Sequence, residues 1–162
     1  MTISDIGPLC NDFCESASDR ALPPLPARVV IVGAGTIGPD IGYYLKAAIP
    51  ELTLHLVDVA QAPLDRAVQR FETYARKAVE RGKLSKAQAE KITQNLHATQ
   101  DYAVVKDADW VIEAATENLK LKRRIFARLE ALMPPDAMLT SNTSSLPPSG
   151  YSPSYPRSIA PR

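Results

Sequence analysis

Cysteine is nearly absent from this sequence: Cys10 and Cys14 are the only two among 162 residues. No histidine stands near them, so neither a disulfide framework nor a four-ligand zinc site can be built, and two lone thiols suit a reducing, cytoplasmic setting. Long apolar runs are missing as well. The most apolar stretches are broken by Lys46 or by glycines well before the ~20 residues that a membrane span requires. Nor does one sign of charge dominate, with 19 Lys and Arg against 18 Asp and Glu. No global field therefore points to nucleic acid or to an anionic membrane. Asp5, Asp12, Glu15 and Asp19 precede the first basic residue, Arg20, and no apolar core of signal-peptide length accompanies them, which argues against secretion. What remains, 45% hydrophobic and 23% charged, fits one globular domain.

Composition divides the chain into three. Residues 1–26 read as a flexible arm ending in the extended run Leu22-Pro23-Pro24-Leu25-Pro26. Residues 27–146 hold nearly all the periodic apolar pattern. Residues 147–162 are rich in proline and serine and read as a disordered tail. In the middle part, short apolar runs at 28–32, 52–57, 96–99, 110–114 and 137–140 alternate with amphipathic stretches at 37–48, 64–81, 86–95 and 119–132. That alternation predicts an α/β fold with a doubly wound parallel sheet. Ser85 and Gln88 fit a capping box, and Gly82 fits a helix stop, so 64–95 reads as an inserted helical hairpin.

Gly33-Ala34-Gly35-Thr36-Ile37-Gly38 follows the strand Val-Val-Ile-Val and opens a helix, and the next strand ends at Asp58, twenty residues after Gly38. Gly33 permits a tight turn, Gly35 lets the backbone approach a pyrophosphate, and Gly38 lets helix and strand pack closely. The free N–H groups around Thr36 and Ile37, with the helix dipole, then hold the phosphates. Asp58 accepts from the ribose hydroxyls and repels a 2′-phosphate, which favours NAD over NADP. This is a Rossmann-type dinucleotide motif, and on its own it also fits a flavin. Pro39 in the first helical turn removes only an N–H that has no intrahelical partner.

The segments VVIVGAGTIGPDIG, LVD and WVIEAATENLKLKRRIFARLEALMPPDAMLTSNTSSL, with the hairpin between them, resemble the N-terminal domain of the 3-hydroxyacyl-CoA dehydrogenase family over about residues 27–146. Sugar-acid and carnitine dehydrogenases share parts of the pattern. The resemblance implies hydride transfer between NAD and the 3-hydroxyl carbon of an acyl-CoA. It places Glu117 and Lys122 at the cofactor, and Ser144, with Asn142 in the same loop, near the substrate and nicotinamide. Without it, the preferred readings are Glu117 as a helix cap, Lys122 as a solvated helix residue and Ser144 as a turn serine.

The hairpin carries eight Lys or Arg against four acids across residues 63–91, with Arg66, Arg70, Lys77 and Arg81 in one stripe. In the family this hairpin meets coenzyme A, which points to Lys77 and Arg81 as contacts for its phosphates, although a solvated face reads the same way. The family's catalytic histidine follows the SNTSS loop inside an HFF-like strand, and no such strand follows here. His55 and His97 lie inside strands and read as structural. The family pattern stops at Leu146, so a truncation or shifted frame is expected, with the helical dimer-forming domain absent. Two classes of function stay open: a 3-hydroxyacyl-CoA dehydrogenase domain inactive alone, or a fragment of a related sugar-acid or carnitine dehydrogenase, and a non-catalytic NAD-binding module. No metal site and no nucleic-acid partner are expected.

Overall fold

The last four residues of β1 (Arg28–Val32) are all buried, Val29, Val30 and Ile31 completely. Such a strand must be covered on both faces, which is the condition of a central strand in a parallel sheet. The computed structural model describes residues 24–152 and shows that arrangement. After β1 come α1 (Gly38–Ala48), β2 (Thr53–Val57), α2 (Gln61–Glu80), α3 (Lys86–Thr93) and β3 (Leu96–Thr99). A 3₁₀ helix (Tyr102–Asp107), β4 (Trp110–Glu113), α4 (Leu119–Leu132) and β5 (Met138–Ser141) complete the series. The strands are parallel in the order β3-β2-β1-β4-β5. One face of the sheet packs Val29, Ile31, Leu54 and Leu56 against Leu64, Phe71 and Ile92 of the hairpin helices. The other packs Val30, Val32 and Val111 against Tyr102, Val105, Ile125 and Leu129.

The Rossmann-type sheet and the inserted hairpin match the sequence reading, and the differences at element ends have local causes. Helix α2 starts at Gln61 rather than 64, because Pro63 falls in its first turn, where a missing N–H costs nothing. Helix α3 ends at Thr93 rather than 95, since Asn95 takes a left-handed φ of 54° to turn the chain into β3. Ser85 and Gln88 form the expected capping box, and Gly82 adopts φ 67°. The 3₁₀ helix was not foreseen; the Asp101 side chain accepts from Ala103 N, and the helix buries its own Tyr102 and Val105. Lys46 is fully buried at the end of α1, where its ammonium donates to Pro50 O and Leu52 O at 2.7 Å each. Burial lowers its pKa, opposed more weakly by Glu51.

The disordered tail expected from residue 147 needs correction for its first six residues. Pro148–Gly150 forms a 3₁₀ turn, and Tyr151 is 5% exposed against Phe126 at 4.6 Å between ring centroids. Arg123 Nε donates to Gly150 O at 2.6 Å, and Ser152 Oγ to Glu130 at 2.7 Å. An aromatic ring and two anchored ends outweigh the local proline content. Residues 1–23, most of the N-terminal arm, and residues 153–162 lie outside the described residues.

Candidate functional site

The chain runs β1 to β2 to β3 toward one edge, then returns to β4 on the other side of β1. In a doubly wound sheet that reversal opens a crevice at the carboxyl ends of the strands. The glycine loop lies there. Gly33, at φ 114°, is pressed so closely on β4 that a Cβ would stand 2.6 Å from Ala114 O. A Cβ on Gly38 would stand 1.9 Å from Gly33 O, so the helix can start there only without a side chain. Gly35 is different, because a Cβ there would meet nothing within 4 Å. Its backbone borders open space, as a position reserved for a close ligand does.

Gly33 N donates to Val57 O at 2.8 Å, and Ala34 N to Asp58 Oδ2 at 2.9 Å. The N–H groups of Gly35, Thr36 and Ile37 reach no acceptor among the described residues, and no side chain caps α1. Three free donors at the start of an eleven-residue helix form an anion-binding surface. Asp58 Oδ1 also accepts from Ala60 N at 3.1 Å, so this carboxylate fixes the glycine loop and the turn after β2 together. A cavity of about 330 Å³ lies between them, lined by Gly33, Gly35, Asp58, Val59, Tyr102 and Ile125 among others. An apolar slot beside a carboxylate and free N–H groups matches the aromatic, ribose and phosphate parts of a dinucleotide. The residues present thus fit NAD.

The second half of the crevice is built on Glu113, at the end of β4 and fully buried. Lys122 Nζ reaches its two oxygens at 2.8 and 2.9 Å, Ser141 Oγ donates to it at 2.5 Å, and Ala115 N at 2.9 Å. Each buried charge is thus paired and hydrogen-bonded, the condition under which a buried ion pair survives. Lys122 is 1% exposed, so it is not a solvated helix residue; it lies under the crevice, with Glu117 Oε1 at 3.9 Å. Glu117 does not cap α4 either. Asn118 does, accepting from Leu121 N at 3.0 Å, while Glu117 accepts from Thr143 Oγ1 at 2.8 Å. That bond ties the loop after β4 to the loop after β5, and Asn142 N to Glu113 O at 2.8 Å ties them again. Asn142 and Ser144 are exposed in the loop so held. Tyr151 lies beside Ser141, and its pKa is raised by burial, partly offset by a hydrogen bond with Ser141.

Lys77 and Arg81 are exposed and line neither this cavity nor a second one of about 510 Å³ between the glycine loop and α2. Arg66 and Arg70, from the same basic stripe, line the second. His55 and His97 face each other across β2 and β3, stacked at 4.8 Å, in mid-strand rather than at the strand ends. Glu113, Ser141 and Thr143 carry roles that sequence reasoning left unassigned, although all three lie inside the motifs that carry the family resemblance. Arg70 had only its place in a charge stripe. Among the described residues, no group of three or more His, Cys, Asp or Glu is placed to hold a metal, and no helix is long and apolar enough to cross a membrane.

Comparison with known proteins agrees with this geometry. A family model described as the NAD binding domain of 3-hydroxyacyl-CoA dehydrogenase matches residues 28–157, which extends past Leu146, where the resemblance had been expected to stop. A glyoxysomal fatty acid beta-oxidation multifunctional protein of Brassica napus is 35% identical over 130 residues, 80% of this chain and 18% of that protein. The 3-hydroxybutyryl-CoA dehydrogenase of Escherichia coli K12 superposes with a TM-score of 0.74 at 33% identity, covering 79% of this chain and 27% of that one. The (S)-3-hydroxybutyryl-CoA dehydrogenase of Ralstonia eutropha gives 0.70 at 30% identity, covering 75% and 42%. The chain spans less than half the length of each. It belongs to the 3-hydroxyacyl-CoA dehydrogenase family, and the domain it carries is that family's NAD-binding domain.

Proposed function

We propose that this domain holds NAD for hydride exchange with the 3-hydroxyl carbon of an acyl-CoA, and that the chain acting alone binds the cofactor without turning over substrate. The observation that carries this reading is the set of free N–H groups on Gly35, Thr36 and Ile37 beside Asp58, at the crevice of the sheet. NAD, when bound, supplies the hydride acceptor. The protein's part is orientation. Gly33, Gly35 and Gly38 shape the cradle, Thr36 and Ile37 donate to the phosphates, and Asp58 accepts from the ribose hydroxyls. Glu117 holds the neighbouring loop through Thr143, and Lys122 acts from below through Glu113. Ser144 and Asn142 face the substrate side, and Lys77 and Arg81 offer charge to the phosphates of coenzyme A.

Oxidising an alcohol also releases a proton, and a poised imidazole is the usual acceptor near neutral pH. Among the described residues, neither histidine stands at the crevice, since His55 and His97 stack on each other. This supports cofactor binding without proton transfer by these residues. The paucity of cysteine supports a cytoplasmic setting for it. The test is loss of NADH absorbance with acetoacetyl-CoA, using the folded chain beside Gly35→Asp. The expected result is no turnover above the variant, with NAD binding retained by the unmodified chain. Clear turnover would mean that another group supplies the proton to the 3-oxygen in this direction.

A further inference from the structure

Arg70 reaches out of α2 to the glycine loop, where Nη1 donates to Thr36 O at 2.8 Å and to Gly35 O at 3.4 Å. Its Nε lies 3.7 Å from Asp40 in the first turn of α1, and Asp40 in turn accepts from Tyr74 Oη at 3.2 Å. Tyr74 packs edge-on against Tyr43 at 5.2 Å, and Tyr43 against the buried Phe71 at 5.8 Å. The guanidinium thus has an acid beside it that is itself held by Tyr74, and its side chain is 28% exposed.

A trans peptide unit is planar, with its C=O and N–H pointing in opposite directions. The carbonyl of Gly35 shares a unit with the N–H of Thr36, and that of Thr36 shares one with the N–H of Ile37. A donor that fixes these two carbonyls also fixes the directions of two of the three free N–H groups in the cradle. The other hydrogen bonds to the loop are Gly33 N to Val57 O, Ala34 N to Asp58 and Ile41 N to Ile37 O, and none of them acts on the peptide units that carry the Thr36 and Ile37 N–H groups. We propose that Arg70 is a positioning residue for NAD: from the inserted hairpin it sets the orientation of the Thr36 and Ile37 peptides and so preorganises the pyrophosphate site. The proposal rests on the reading of this loop as the phosphate cradle, and it gives the hairpin a role in cofactor binding as well as in packing.

The test is titration of NAD, ADP-ribose and adenosine into the full chain and into Arg70→Met, Arg70→Lys, Gly35→Asp and Arg76→Met. Arg76 lies on the same helix with its charge paired to Glu80 and serves as the control. Arg70→Met is expected to weaken NAD and ADP-ribose about tenfold, the value of one well-placed charged hydrogen-bond donor, and to leave adenosine unchanged. Lysine keeps the charge but not the planar fork, so Arg70→Lys is expected to recover only part of the loss. Arg76→Met is expected to match the parent. Unchanged NAD affinity in Arg70→Met, equal losses for NAD and adenosine, or full recovery by lysine would each overturn the proposal. Unaltered NAD binding by Gly35→Asp would overturn the cradle reading itself, a failure distinct from that of Arg70.

Discussion

The two halves of the crevice are built from different materials. On the β1–β2 side the working groups are backbone N–H donors, in a loop where a side chain on Gly33 or Gly38 would collide with backbone. On the β4–β5 side they are side chains, with a buried carboxylate, ammonium and hydroxyl bonded to one another and to the loops above. The first half gains free donors without burying a charge. The second buries two charges and depends on each keeping its partner. Perturbation is therefore expected to act on binding in the first half and on folding in the second.

The largest effect is expected from Glu113→Ala, which leaves the Lys122 ammonium buried without its partner; the loss in unfolding free energy is about 3–5 kcal/mol, measured by urea denaturation. A mild change in stability there would erase the contrast. Tyr151→Ala removes a buried ring that rests on Phe126 and Ser141, and a loss of about 2 kcal/mol is expected in the same measurement, less than for a ring enclosed on every side. Asp58→Ala belongs to the other half. It is expected to raise the Kd for NAD about tenfold and to relax discrimination against NADP, with a loss of about 1 kcal/mol in unfolding, smaller than for Glu113→Ala, because Ala34 N and Ala60 N lose their acceptor. Calorimetric titration with both dinucleotides checks this.

The smallest effect is a pH dependence away from the crevice. Burial, then His97, then Arg28 lower the pKa of His55, whose Nδ1 is buried without a partner. With the folded pKa below the unfolded one, the unfolded chain takes up the proton first as pH falls. Stability is therefore full above the ordinary histidine range and declines through it and below. Thermal melts between about pH 7.5 and about pH 5.5 are expected to show this decline, and His55→Phe is expected to reduce it.

The same contrast decides how much was legible in the sequence. Backbone chemistry leaves a linear trace: the glycine spacing, the strand before it and Asp58 twenty residues on can be read in order, and the loop stands where they place it. The sheet followed from the apolar runs because a strand buried on both faces reads as a continuous block. A buried ion pair leaves no such trace. Glu113 and Lys122 are nine residues apart, one closing a strand and the other in the first turns of a helix; the resemblance placed Lys122 at the cofactor, but neither it nor the local pattern indicated the buried pair with Glu113. Arg70 and its carbonyl acceptors are separated by 34 and 35 residues, a pairing that only the packing of α2 against α1 creates. Tyr151 was hidden by the prolines around it.

The central claim is that the glycine loop and Asp58 form an NAD site within this chain. Its most direct test is calorimetric titration of NAD into the chain and into Gly35→Asp. The position has open space around it, so this variant is expected to keep the parent's circular dichroism. Saturable one-to-one binding by the parent, lost in the folded variant, is the result this account predicts. Equal affinity in the two proteins would contradict it and place the dinucleotide elsewhere.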